Sequence, residues 1–292
     1  MNTNAANAVI QEMRKKSILS ADDEFLYIEA LEYMIEATDD TDYMTELGGY
    51  YYEMKIYDKA LKYYEMAYAH GDSWAAEGLG YIWYYGRTGT VDYQKAFRYY
   101  SKAAEHGNLK SLVKVADMYR NGYYVEKDMQ KYTEILEDAK RKMEHPQNYG
   151  DPLPEIYTRL ARIRKEEGNT DEAVSLYLDA KDFLAKRIMY TGFFGDRNIM
   201  KWLIEDLYTL IPFDETEFDL YDLYYVLKQP CRVRFSYRYQ PYIIESAFMN
   251  GRNVIHFNDA WYGSIDDFFE KAAIHNKRLT AVYGQLYGFE IL

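Results

Sequence analysis

Shifted against itself by 36 residues, the chain repeats: Lys59 falls on Lys95, Ala60 on Ala96, Tyr63 on Tyr99, Tyr64 on Tyr100, Ala67 on Ala103 and Gly71 on Gly107. A second shift of the same size sets Gly80 on Ala116, Trp83 on Tyr119, Gly86 on Gly122, Asp92 on Asp128, Lys95 on Lys131 and Ala103 on Ala139. A fixed period in this range restricts a chain to architectures in which one supersecondary unit stacks on the next. "EMAYAHGD" at 65–72 and "SKAAEHGN" at 101–108 are therefore one helix end met twice, His70 answering His106.

The spacing inside each unit says what repeats. Small residues fall at Gly48, Ala60 and Ala67, and again at Ala161, Ala173 and Ala180, with gaps of 12 and 7 in both places. A small side chain lets two antiparallel helices cross closely, while Tyr64, Tyr100 and Tyr177 fill the space beside the crossing. The unit is a helical hairpin. This 12-and-7 pattern resembles the tetratricopeptide repeat. The middle units, with "YYGRTGTVDYQKAFRYYSKAAEHGN", resemble its Sel-one-like variant, in which a longer glycine-bearing turn joins the helices. Gly80 to Ala96 is 16 residues, and the added ones include Gly86 and Gly89. The resemblance covers about 43–188; in the third unit Tyr132 replaces the alanine and Met143 the closing glycine. It implies an α-solenoid used as a protein-interaction scaffold, a kind of protein that rarely performs chemistry itself.

The flanks are less regular. Residues 22–38 read as an amphipathic cap helix with Phe25, Ile28, Leu31 and Ile35 on one face. From Asp22 to Glu46 ten residues are acidic and none basic, which reads as a solvated cap face or as a docking surface for a basic partner. The Pro-rich 144–154, "EHPQNYGDPLP", reads as an insertion that bends the solenoid. "DRNIMKWLIEDLYTLI" and "EFDLYDLYYVLKQ" read as helices. After Pro230 the texture changes to alternation by twos, with Val233, Phe235, Tyr237 and Tyr239 on one face and Arg232, Arg234, Ser236 and Arg238 on the other. Two further strands meet at the Asn-Gly of "NGRN", "SIDDFFEKAAIH" reads as a helix capped by Ser264 with Asp267 as its partner, and "YGFEIL" closes as a strand. The fold expected is mainly α: capping helices over 1–42, repeats over 43–188, connecting helices over 189–229, then a small α+β module over 230–292.

No residue set carries chemistry. His70, His106, His145, His256 and His275 show no paired metal spacing, and His70 and His106 read as helix C-caps. "GLGYIW" places Trp83 where a dinucleotide fingerprint needs glycine, and "DDTDYMTE" lacks the glycine and final glutamate of a calcium loop. Asp266 and Asp267 sit in a helix first turn, as partners of its dipole. No catalytic residue, metal or cofactor is expected. A formal net charge of −12 repels nucleic acid and anionic membrane outside a local patch. One cysteine, Cys231, cannot form an internal disulfide, and no apolar run reaches signal-peptide or membrane-span length, so a bacterial cytoplasm is the expected setting.

Two surfaces remain. The resemblance implies a groove lined from the first helix of each hairpin, six and three residues before the first small residue and one and four after it. Here that yields Tyr52, Trp74, Tyr81 and Tyr84, then Lys110, Arg120, Arg162 and Lys165, with Glu77 and Asp117 among them. Rings and guanidinium groups on one surface suit an extended protein segment bearing aromatic or proline-rich residues and carboxylates. Alternatively the tyrosines pack on the next hairpin and the bases pair with nearby acids. The second surface is the arginine face Arg232, Arg234, Arg238. Its alternation sets the rings on the opposite side, which argues against a nucleic-acid sheet and for cross-strand pairing with Glu245. The expected function is a non-enzymatic adaptor. The alternative is an effector or nucleic-acid-binding α+β module regulated by the repeats.

Overall fold

The computed structural model describes residues 1–16, 19–144, 153–191 and 194–292, and contacts divide the chain into two units, Met1–Ala139 and Lys140–Leu292. Residues 145–152, which hold most of the Pro-rich insertion and His145, lie outside the described residues.

The first unit comprises α1 (Thr3–Met13), α2 (Ala21–Thr38), α3 (Thr41–Glu53), α4 (Tyr57–Ala69), α5 (Ala75–Tyr85), α6 (Tyr93–Glu105), α7 (Leu109–Asn121) and the start of α8 (Met129–Glu144). α1 packs on α2, α3 on α4 and α5 on α6, and each hairpin meets the next through α2–α3, α4–α5 and α6–α7, the layering of an α-solenoid. Small residues mark the crossings because nothing larger fits. Ala60, Ala67, Ala96 and Ala103 are fully buried. A Cβ on Gly48 would stand 2.8 Å from Cδ1 of Tyr64, and one on Gly80 2.5 Å from Cδ1 of Tyr100. The repeat also fixes an electrostatic contact. The lysine at the first turn of each second helix lies on a ring of the first helix: Lys59 on Tyr51 at 4.8 Å, Lys95 on Trp83 at 3.6 Å and Lys131 on Tyr119 at 4.5 Å. Each such contact draws the ammonium to the negative face of the ring.

The echoed helix ends have one geometry. His70 and His106 occupy the C-cap positions of α4 and α6, with Nδ1 2.8 Å from the Met66 carbonyl and 2.9 Å from that of Lys102. Gly107 follows in the left-handed region at φ 90°, and the Asn108 N–H donates to the Ala103 carbonyl at 3.1 Å. Asn108 then caps α7, its Oδ1 accepting from the Ser111 N–H at 2.9 Å. Since no atom of the described residues beyond its chain neighbours lies within 4 Å of a Cβ at Gly107, Gly107→Val costs backbone strain alone. Its expected effect is a loss of about 1–2 kcal/mol, read from the urea midpoint; an unchanged midpoint contradicts this role.

α2 corrects one expectation. Its buried stripe is Tyr27, Ala30, Leu31, Met34 and Ile35, whereas Phe25 is 69% exposed. The buried face includes Tyr27, whose hydroxyl donates to Glu46 at 2.5 Å, so the stripe runs beside the one expected through Phe25, Ile28, Leu31 and Ile35.

The second unit pairs α9 (Pro154–Glu166) with α10 (Thr170–Thr191), followed by α11 (Phe194–Leu207) and a single turn, α12 (Leu223–Val226). Ala161, Ala173 and Ala180 are fully buried. Where earlier hairpins set a lysine on a ring, this one has Glu172 and Arg164, paired at 2.9 Å. The helix expected over 217–229 shrinks to 223–226 because side chains compete for its backbone. Asp219 Oδ1 accepts from the Tyr221 N–H at 2.8 Å and Asp222 Oδ2 from the Asp219 N–H at 2.8 Å.

The strands β1 (Cys231–Tyr237), β2 (Gln240–Met249), β3 (Arg252–Phe257), β4 (Ala260–Tyr262) and β7 (Leu286–Ile291) form an antiparallel sheet in the order β4-β3-β2-β1-β7. β5 (Ala273–Ile274) and β6 (Lys277–Arg278) form a separate ribbon. Val233, Phe235 and Tyr237 point into the core, as the alternation requires. Arg238 and Tyr239 do not continue β1: both have positive φ, 49° and 64°, and form the two-residue turn into β2, leaving Tyr239 92% exposed. Asn250 and Gly251 form the corresponding turn into β3, as expected. α13 (Ile265–Lys271) is capped by Ser264, whose Oγ accepts from the Asp267 N–H at 3.0 Å, while Asp267 accepts from Gly263. It ends four residues earlier than "SIDDFFEKAAIH" implies, since Ala273–Ile274 pair as a strand around the His275–Asn276 turn.

Candidate functional site

The groove positions of α3 and α5 converge on one tyrosine cluster in the first unit. Tyr52, in the last turn of α3, meets Tyr57 edge-on at 5.4 Å. On α5, Tyr81 stacks on Tyr85 one turn later, with centroids 6.0 Å apart and planes at 7°. Tyr84 meets Tyr85 edge-on at 4.9 Å and Tyr93 at 5.6 Å. Both Tyr81 and Tyr84 also touch the buried ring of Tyr100, at 5.7 and 6.1 Å. The tyrosines thus pack on neighbouring hairpins and still present one half-buried surface.

Two cations that the groove positions do not include tie this surface together. Arg87, just past α5, donates from Nε to the Tyr52 hydroxyl at 3.1 Å, and its guanidinium lies 5.8, 5.5 and 5.0 Å from the rings of Tyr52, Tyr57 and Tyr85. Lys114, on α7, donates to the Tyr85 hydroxyl at 2.8 Å and stands 5.5 and 5.2 Å from the rings of Tyr81 and Tyr84. Burial, then the charge of Asp117, push the Tyr84 phenol up to about 12, and burial also raises that of Tyr52. Both phenols stay neutral at physiological pH. Arg87 lies in the inter-helix turn and Lys114 two residues before Ala116, so neither falls on the repeat-derived groove positions.

The other expected groove residues are placed differently. Trp74 is the N-cap of α5 and 60% exposed, with no ring partner among the described residues. Lys110 is exposed in the first turn of α7, and Arg120, in its last turn, lies 5.9 Å from the ring of Tyr132. Glu77 accepts from the Asn108 side chain at 2.6 Å, the repeat counterpart of the Thr45–Asp72 contact at 2.5 Å. It latches one hairpin to the next. In the second unit Arg162 and Lys165 both bind Asp206, at 3.0 and 3.1 Å. Burial pushes the Asp206 carboxyl up, but hydrogen bonds from Lys165 and Arg162 outweigh it and hold the group below the usual carboxylate range.

The arginine face of the sheet is likewise occupied. Arg232 pairs across to Glu245 at 2.6 Å, as its register predicts, and Arg234 pairs with Glu290 on β7. Arg238 sits on the turn, 5.2 Å from the Tyr237 ring, so the expected three-arginine strand face has two members.

No family model matches the chain, and no curated protein matches it. Among solved structures it is similar to a Sel1 repeat protein from Oxalobacter formigenes, 21% identical, covering 70% of this chain and 75% of that one, with a TM-score of 0.54. It is also similar to a protective antigen present in uropathogenic Escherichia coli strains displaying an SLR fold, at 17% identity and a TM-score of 0.48, covering 73% of this chain and 50% of that one. The first likeness, with the buried small residues, shows the fold: Sel1-like helical repeats of the tetratricopeptide type, followed by an α+β module. No helix among the described residues is long and apolar enough to cross a membrane.

Proposed function

We propose that the chain is a non-enzymatic scaffold whose tyrosine surface on α3, α5 and α7 binds an extended segment of another protein. The observation that carries this reading is the cluster of Tyr52, Tyr81, Tyr84 and Tyr85 with Arg87 and Lys114 held on its rings. Rings locked by packing offer contact area at low entropic cost. Arg87 binds Tyr52 through Nε, and in this reading its terminal N–H groups bind a partner carboxylate. Trp74, Lys110 and Arg120, exposed at the start of α5 and on α7, are proposed as further contacts of the same segment.

The test is capture of partners from lysate with a photocrosslinking residue at Trp74, with and without Arg87→Glu and Lys114→Glu. The double change is expected to reduce recovery of the captured segment roughly tenfold or more, about 1.4 kcal/mol, with circular dichroism unchanged. An identical set of partners at identical yield removes this surface from the function.

A further inference from the structure

The first unit carries a second surface, separate from the tyrosine cluster. A groove of about 670 Å³ runs along α6 and is lined by the rings of Tyr68, Phe97 and Tyr124 and by Lys95, Arg98 and Lys102, with the carboxylates of Asp92 and Glu105 also on its wall. The three cations stand at i, i+3 and i+7, one stripe of the helix. Lys95 lies 3.6 Å from the Trp83 ring with Asp92 at 4.0 Å, and Lys102 pairs with Glu105 at 3.2 Å, both within reach of exchange at the exposed surface. Arg98 pairs with no carboxylate among the described residues.

α2 presents the complement. Asp22, Phe25 and Glu29 also stand at i, i+3 and i+7, all three are exposed, and neither carboxylate has an ion pair among the described residues. Phe25, the ring that departs from the buried stripe, therefore sits between two free carboxylates with Leu26 exposed beside it. Seven residues of helix span about 10.5 Å, so the carboxylates and the outer cations have the same separation.

We infer that a second copy of this chain docks here: the α2 stripe of one copy lies in the α6 groove of the next, Phe25 among the three rings and Asp22 and Glu29 against the cations. The two patches differ, so each contact pairs the α2 stripe of one copy with the α6 groove of another.

Sedimentation velocity of the full chain over a concentration series tests this. The parent is expected to form oligomers by mass action that dissociate as salt rises. Phe25→Asp removes the inserted ring, and Arg98→Glu with Lys102→Glu reverses the groove. Each variant alone is expected to remain monomeric. Mixed, they retain one intact interface between them and are expected to form a dimer and nothing larger. Should the groove variant fail to fold, Arg98→Ser serves, with roughly tenfold weaker association expected. A parent that is monomeric at every concentration in low salt overturns the inference, as does association that neither variant weakens, or a mixture that stays monomeric.

Discussion

Lys181→Met is expected to lower the stability of the second unit by about 3–5 kcal/mol, a large part of what a unit of this size possesses. The ammonium, on α10, lies 2.8 Å from both oxygens of Asp222 and 3.1 Å from Asp219 Oδ2. Asp222 is 1% exposed. Two phenols complete the site: Tyr208 donates to Asp222 at 2.7 Å and Tyr283 to Asp219 at 2.8 Å. Burial disfavours the charge on Lys181, but Asp219 and Asp222 outweigh it and raise the lysine above its usual range. Burial, then the charge of Asp219, push the Asp222 carboxyl upward. In the variant that push has no ammonium to oppose it, so the folded state holds a proton that the unfolded chain releases. Stability then falls as pH rises through the carboxylate range, and acidification restores part of the loss. Urea denaturation at neutral and mildly acidic pH reads both effects. A parent-like midpoint at neutral pH contradicts this account, and adding Asp222→Asn is expected to recover part of the deficit.

That site also marks where reading from sequence stops. Lys181 belongs to "AKDFLAKR", which has the look of a solvated helix face, and its partners arrive about forty residues later from a segment whose spacing resembles helix. Only when the Asp219 and Asp222 carboxylates take backbone N–H groups does the segment become a turn. The repeats were legible for the opposite reason. Where two backbones cross, sterics admit only glycine or alanine, so the constraint is written in residue identity at a fixed interval. Tyr52, Tyr81 and Tyr84 inherit that interval and were legible with it. Arg87 and Lys114 lie off it, and their place on the rings follows from tertiary packing. The turns divide in the same way. Asn250–Gly251 announces its positive φ, whereas Arg238–Tyr239 adopts one with side chains that favour a strand.

Gly80→Leu is expected to cost the first unit about 3 kcal/mol. The Cβ position lies 2.5 Å from both Cδ1 and Cε1 of Tyr100 and 3.0 Å from its Cγ, so the whole ring stands in the way. That ring is fully buried, with Tyr81 and Tyr84 against its sides, and has nowhere to retreat. Gly49 supplies the control. A Cβ there meets only the Tyr64 hydroxyl, at an ordinary 3.6 Å, so Gly49→Ala is expected to stabilise α3 by about 0.5–1 kcal/mol through helix propensity. Gly80→Ala carries the same propensity gain and is nevertheless expected to destabilise. The Tyr100 hydroxyl is buried without a partner among the described residues, so Tyr100→Phe, which keeps the ring, is expected to be neutral or slightly stabilising. Tyr100→Leu removes the obstructing edge and should suppress part of the Gly80→Ala cost, a coupling of about 1 kcal/mol or more in a double-mutant cycle. Because Tyr100 supports Tyr81 and Tyr84, a folded Gly80→Ala protein is also expected to capture partner segments less well, although no exposed residue has changed. Strict additivity in that cycle would place the cost elsewhere than at the Gly80–Tyr100 crossing and would remove close approach as the reason a small residue recurs there.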